Sequence, residues 1–251
     1  MSFKDHFSAH AALYSQARPI YPAQLFAWLA TQVPSFALAW DVGSGNGQVA
    51  VALAEYFDQV VASDPSSEQL AQARAHARVD YRVEPAEHGS LEDASADLVT
   101  VGQALHWFDH PAFFAEVDRV LKPGGLFAAW SYADVHVTPA VDMHIERLYR
   151  DITDPYWAPE RDHVDNGYAD IVMPFEPVAH PDFGMRVPWS AAQLLAYLRS
   201  WSASQHYRRD KGHDPVSLVE EDLLQAWGNP DQPRPVHWDF HLHVRSNPAH
   251  G

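Results

Sequence analysis

The sequence predicts an open, doubly wound α/β sheet, and three observations carry that prediction. Short apolar runs alternate with helical patterns between residues 36 and 130. A glycine turn, Gly43-Ser44-Gly45-Asn46-Gly47, directly follows the first apolar run. Polar residues suited to ligand binding recur where the runs end. Alternation of strand and helix demands parallel pairing with crossovers, so both faces of the sheet are covered. Ligands in such sheets bind outside the carboxyl ends of the strands.

The elements follow in order. Residues 1–34 carry Phe7, Tyr14, Arg18-Pro19-Ile20-Tyr21-Pro22 and an apolar pattern at Leu25, Phe26, Trp28 and Leu29. They read as lid helices, with Pro22 in the first turn of the second. Phe36 to Val42 is the first strand. Val49, Ala50, Leu53, Ala54 and Phe57 then mark one helix face. Gln59 to Asp64 is the second strand, and Ser66 with Gln69 reads as a capping box opening a helix that runs to about His76. Val79 to Glu84 is a third strand and Ala96 to Gly102 a fourth. Pro111 opens a helix stopped by Leu121-Lys122-Pro123-Gly124-Gly125, and Leu126 to Trp130 is a fifth strand.

Past residue 131 the rhythm changes. Pro139 to Asp151 is helical in pattern, and residues 152–176 form a proline- and aromatic-rich irregular cap. Phe175 to Val187 is a bent strand, Ser190 to Tyr207 an amphipathic helix, and Leu218 to Trp227 another helix. Val236 to Val244 alternates as a last strand. The chain reads as one domain over 1–251. Lid helices span 1–34, the cofactor-binding core 35–135, the cap and substrate region 136–235, and the final strand 236–245.

Composition narrows the function. The 33 acidic residues against 17 basic ones give a formal charge of −16, unsuited to a phosphate-rich nucleic-acid surface. No run approaches the roughly 20 apolar residues of a membrane-spanning helix, and Met1 to His6 lacks a signal-peptide core. Cysteine is absent, which removes disulfides, thiolate metal sites and cysteine nucleophiles and suits a cytoplasmic setting. His241 and His243 share one strand face but lack a third ligand in view, so an exposed face is expected and no metal.

Four strand ends converge on one crevice: Gly43 to Gly47, Asp64, Glu87, and Gln103 to Trp107. Asp64 stands at the tip of the strand beside the glycine turn, where a carboxylate accepts from both ribose hydroxyls. A helix-capping role is the alternative, given Pro65-Ser66 beside it. The spacing Gly-x-Gly-x-Gly differs from the dinucleotide fingerprint, and Gln48 occupies the position of its third glycine.

Together, Asp41 to Gly47, Asp64-Pro65-Ser66, Ala86-Glu87, Asp97-Leu98-Val99 and Arg119 to Gly125 resemble the class I S-adenosylmethionine-dependent methyltransferases. Tyr14, Arg18-Pro19, Tyr21-Pro22, His106 to Asp109, Trp201-Ser202 and Trp227-Gly228 are similar to a small-molecule subgroup that includes trans-aconitate methyltransferases. The resemblance implies a Rossmann-like, seven-stranded, mostly parallel sheet in the order 3-2-1-4-5-7-6, with the last strand antiparallel. It implies S-adenosyl-L-methionine as cofactor. Gly43, Gly45 and Gly47 would lie under its methionine portion, oriented by Asp41. Asp64 would hold the ribose, and Pro65, Ser66, Ala86 and Glu87 the adenine. Gln103 and Ala104 would line the methionyl side, under a lid closed by Tyr14 and Arg18.

The methyl donor is a sulfonium, so the protein's task is alignment and exclusion of water. A hydroxyl acceptor needs a base, for which His106 is the candidate; an orienting or pocket-wall role beside Trp107 is the alternative. A carboxylate acceptor needs a cation instead, with Arg18, Arg199 and Arg208 the candidates. Trp107 and Trp201 complete the expected substrate side; Tyr156 and Trp157 are expected to pack the cap, with walling of a substrate pocket as the alternative. Two other readings compete: a non-enzymatic binder of S-adenosylmethionine or an adenosine nucleotide, and an NAD-dependent oxidoreductase.

Overall fold

The computed structural model describes residues 19–248. Its centre is one sheet of eight strands: β1 (Leu38–Val42), β2 (Gln59–Asp64), β3 (Val79–Val83), β4 (Ala96–Gly102), β5 (Leu121–His136), β6 (Glu176–Pro177), β7 (Met185–Trp189) and β8 (Arg234–Ser246). The order is β3-β2-β1-β4-β5-β8-β6, with β7 also paired to β8. Strands β1 to β5 pair in parallel, while β8 runs antiparallel to β5, β6 and β7. This is the expected order with one refinement. The bent strand expected over 175–187 is two short strands that share the outer edge of β8. Pro188 is tolerated there because an edge strand can forgo a ladder donor.

Alternation along the strands sends side chains to two cores. Leu126, Ala128 and Trp130 of β5 enter one cluster, and Phe127 and Ala129 enter the other. Helices α1 (Ala23–Gln32) and α2 (Gln48–Leu53) contribute to the first cluster, and α4 (His110–Val120) to the second. Both faces are therefore covered, and the strands read as continuous apolar runs.

Several expected elements differ in extent. The helix after Ser66 is a single turn, α3 (Ser67–Leu70), capped by the Ser66 hydroxyl on the Gln69 N–H. The chain turns away because the Arg74 N–H bonds Asn46 O and the Tyr81 hydroxyl donates to Arg74 O. The helix expected over 139–151 is α5 (Pro139–Glu146) followed by a π-turn over Arg147–Ile152, and α6 (Arg161–Asp165) crosses the cap. The long helix expected over 190–207 is two: α7 (Ala191–Ser200), opened by a Ser190–Gln193 capping box, and α8 (Ser202–Lys211). They break at Trp201, whose ψ of 138° lies outside the helical range. Helix α9 (Glu220–Trp227) ends at Gly228. No helix among the described residues is long and apolar enough to cross a membrane.

Candidate functional site

The strand order reverses between β1 and β4, and the site is built where their carboxyl ends part. Ser44 N–H donates to Ser63 O, which ties the glycine turn to β2. All three glycines have positive φ: 66° at Gly43, 54° at Gly45 and 78° at Gly47. Their surroundings differ. A Cβ on Gly43 would lie 2.7 Å from Ala104 Cβ, and one on Gly47 would lie 2.8 Å from Tyr81 Cζ. A Cβ on Gly45 would meet only Gln69 Oε1, at 3.9 Å. Two glycines thus let the protein pack against itself, and the middle one leaves room above the turn. Gln48, where a dinucleotide enzyme has its third glycine, donates from Nε2 to Pro19 O and ties the turn to the leader.

Asp64 is buried and held by two backbone donors: Gly45 N–H to Oδ2 and Ser66 N–H to Oδ1, each at 2.9 Å. Ser66, not Asp64, is the N-cap of α3. The carboxylate is therefore fixed as a bridge between the glycine turn and the tip of β2. Asp41 is 1% exposed and accepts from the Thr100 hydroxyl at 3.0 Å through Oδ1. Among the described residues its Oδ2 and Ser44 Oγ are buried without a well-formed hydrogen bond. Burial pushes the Asp41 carboxyl up to about 7; the Thr100 hydroxyl and the Ala50 N–H oppose that rise and the charge of Asp64 adds to it. Unpaired buried polar atoms at a strand end call for a partner.

The remaining cofactor-side residues sort unevenly. Pro65 and Ala86 flank the same edge, Pro65 half-buried and Ala86 buried. Glu87 Oε1 accepts from Asp109 N–H at 2.9 Å, so this carboxylate pins the loop to the start of α4. Gln103 sits at φ 58°, and its amide pairs both ways with the Tyr132 backbone, at 3.0 and 2.7 Å. Its side chain extends the β4–β5 pairing by one step rather than pointing to a ligand through its own amide. Asp97, part of the resemblance, lies at the opposite end of the sheet. There it accepts from Ser35, Ala37, Leu38 and Lys122. Tyr14 and Arg18 lie outside the described residues.

On the acceptor side, His106 and Trp107 lie on a 3-10 turn after β4. His106 is buried, stacked on Trp107 at 4.7 Å, with Nδ1 2.9 Å from the Tyr168 hydroxyl. Tyr168 is fully buried, and desolvation raises its hydroxyl well above the usual phenol range, so it stays protonated. The bond holds the imidazole in place, and either ring nitrogen can carry the proton, so the geometry allows both an orienting role and a base.

Gln103, His106, Trp107, Trp157, Arg161 and Trp201 line one cavity with Tyr132, Tyr197 and residues of α7 and α8. Arg199 does not reach it. Its guanidinium is held by Asp214 at 2.6 Å and Glu220 at 2.5 Å, which makes it a brace of the cap. Arg208 is exposed on α8. Among the described residues the cation at the cavity is Arg161, which carries no local signal in the sequence. Tyr168 was missed as well; Gly167 before it, a turn signal in the irregular cap, was the available pointer. Tyr156 bonds Asp210 at the surface, while Trp157 lines the cavity rather than merely packing the cap. His243 is half-buried rather than displayed, and its Nε2 meets Gly167 O at 2.7 Å. Among the described residues no group of three or more His, Asp or Glu gathers as a metal site.

Comparison with known proteins agrees with this geometry. A family model described as a methyltransferase domain matches residues 40–129. A Dictyostelium discoideum protein assigned as a methyltransferase is 34% identical over 233 residues, 91% of this chain and 89% of that relative. An uncharacterised methyltransferase of Mycobacterium bovis is 37% identical over 130 residues, and the match spans about half of either protein, 51% and 53%. The solved structure of a type II methyltransferase from Anaeromyxobacter dehalogenans is 40% identical, with a TM-score of 0.86. It covers 93% of this chain and 99% of its own.

Proposed function

Because this chain belongs to the class I S-adenosylmethionine-dependent methyltransferases, we propose that it methylates an oxygen, carboxylate or hydroxyl, of a small molecule in the cavity under the cap. The observation that carries this reading is the shared edge. The loop after β4 serves both: its Ala104 packs on Gly43 of the glycine turn, and its Gln103, His106 and Trp107 line the cavity.

The residues present fit the cofactor. Asp64 is preset by two backbone N–H groups to meet a ribose. Gly45 leaves its upper side open, and Asp41 Oδ2, without a well-formed hydrogen bond among the described residues, can pair with a polar group of the bound cofactor. S-adenosylmethionine supplies an activated methyl that passes to the acceptor oxygen by in-line displacement, the sulfur keeping the electron pair of the broken bond. The protein aligns the acceptor and keeps water out. Trp107 and Trp157 form apolar walls, and His106, held at Nδ1 by the Tyr168 hydroxyl, orients the acceptor oxygen. A carboxylate needs no base; a hydroxyl would pass its proton to His106. The reading carries with it a small molecule rather than a nucleic acid as substrate and a cytoplasmic setting. The charge of −16 and the lack of cysteine support both.

The test joins binding to turnover. S-adenosylhomocysteine at 100 times its dissociation constant should stabilise the protein by about 2.7 kcal/mol. Labelled methyl should then move from S-adenosylmethionine to at least one carboxylic acid or phenol. An unshifted melting curve at saturating S-adenosylhomocysteine would remove both this reading and the binding-module alternative. A shift with NADH alone would point to the oxidoreductase.

A further inference from the structure

We propose that Arg161, together with the indole N–H of Trp157, is the anchor for a carboxylate of the methyl acceptor. This rests on the methyltransferase reading and names the chemical class of its substrate.

The charge pattern is the first observation. The chain carries 33 acidic residues, yet among the described residues no carboxylate lines the cavity beside His106, and the one guanidinium there is that of Arg161. The neighbouring groove, across Arg161, is mixed: Asp134, Asp142 and Glu146 line it with Arg150 and His136, so the two cavities differ in their acids. An acidic protein that keeps acids out of one cavity has made it fit for a negative group.

The guanidinium itself is the second. Arg161 Nε donates to Asp165 Oδ1 at 2.8 Å and to the Tyr149 hydroxyl at 3.1 Å. The Tyr149 hydroxyl in turn donates to Asp165 Oδ2 at 2.6 Å. The guanidinium carbon lies 4.9 Å over the Trp157 ring and 5.5 Å over Tyr149. These contacts use one edge and one face of the group. The two terminal nitrogens make no hydrogen bond to any described residue, although the side chain is only 18% exposed. A planar fork held still, with its outer donors unused, matches the two oxygens of a carboxylate. Holding it in place beforehand removes much of the ordering cost of binding.

Trp157 supplies the third. It lines the same cavity, and its Nε1 is buried with no acceptor among the described residues. A buried donor left without a partner costs stability, and such atoms are uncommon. One carboxylate between Arg161 and Trp157 would satisfy both residues. The rings of Trp157, Trp201, Tyr149 and Tyr197, in mutual contact at 4.9 to 5.8 Å, wall the anchor off from bulk water.

Labelled methyl transfer from S-adenosylmethionine, run on hydroxybenzoic acids and on four- to six-carbon di- and tricarboxylic acids, tests the anchor. Each acid is paired with its primary monoamide, which keeps a hydroxyl or second carboxylate to accept the methyl. At least one acid should be methylated, with its amide about 100-fold poorer in kcat/KM, as for loss of a charged partner. Arg161→Gln should raise the KM for the acid about 100-fold and Arg161→Lys about 10-fold, because lysine keeps the charge but loses the fork. Trp157→Phe, which keeps the ring and loses the N–H, should raise it about fivefold. Affinity for S-adenosylhomocysteine, titrated on every variant, should stay within about twofold of the parent, since the anchor touches the acceptor only. Equal rates for acids and amides, or an unchanged KM in both Arg161→Lys and Trp157→Phe, would overturn the anchor. So would a protein that binds S-adenosylhomocysteine yet methylates only uncharged acceptors, and the methyltransferase reading would then survive alone. Loss of S-adenosylhomocysteine binding in the parent would overturn both.

Discussion

The glycine-turn edge and the cap cavity share the loop after β4, yet they are built by different means. On the turn side, backbone does most of the work: three positive φ values, two N–H groups on Asp64 and one N–H on Ser63 O. On the cap side, side chains do it, brought together from the turn after β4, from α6 and from the break between α7 and α8. A backbone-built site tolerates little variation in its own residues and suits a ligand that never changes. A side-chain-built cavity can be re-lined by substitution while the sheet is kept, which suits the partner that differs between related enzymes.

That contrast breaks first, if it breaks, at Gly47. Gly47→Ala combines a positive φ with a clash into Tyr81, so a loss of about 3 kcal/mol or more in unfolding free energy is expected by denaturant titration. Gly45→Ala should cost only about 1 kcal/mol, the backbone strain alone, and should harm S-adenosylhomocysteine binding more than folding. Equal stability losses at both positions would erase the distinction between packing and ligand-facing glycines.

Next in size is Asp64→Ala, expected to weaken S-adenosylhomocysteine binding by roughly 1 to 3 kcal/mol, the scale of charged hydrogen bonds. On the cap side, Tyr168→Phe removes the partner of His106 Nδ1. It should lower kcat about tenfold, or about 1.4 kcal/mol, with cofactor affinity unchanged. An unaltered kcat would reduce His106 to a wall.

The smallest effect concerns pH. Asp41 holds its proton up to about 7 in the fold, against 3.8 ordinarily. The folded form therefore binds more protons than the unfolded one between those values, and this group makes stability fall as pH rises from about 4 to 7. Asp41→Asn should melt higher than the parent above pH 7, by on the order of 1 kcal/mol, since the full shift is offset by imperfect bonding of the amide to Thr100. The gap should close below pH 4. A pH-independent difference would contradict a buried, titrating carboxyl.

The sequence made the turn side legible because its signals are local. Apolar runs, glycine spacing and an acid at a strand tip all sit within one stretch of chain, and strand order follows from parallel crossovers. Even there, only coordinates separate Gly45 from its neighbours, because Tyr81 and Ala104 reach the turn from β3 and from beyond β4. The cap resisted reading for a related reason. Arg199 and Arg161 look alike in sequence, and each has carboxylates within reach. Arg199 is claimed by two acids from distant segments, Asp214 and Glu220, whereas Arg161 is bound only along Nε. Pairing at that distance leaves no periodic trace. The break at Trp201 was hidden likewise, since the polar and apolar pattern continues across it and only ψ changes.

Calorimetric titration of S-adenosylhomocysteine into the parent protein and the Asp64→Ala variant tests the central claim most directly. Saturable one-to-one binding to the parent, weakened about 5- to 150-fold in the variant, is the expected result. Equal affinity in the two proteins, or no binding to the parent, would contradict the assignment of the glycine-turn edge as the cofactor site.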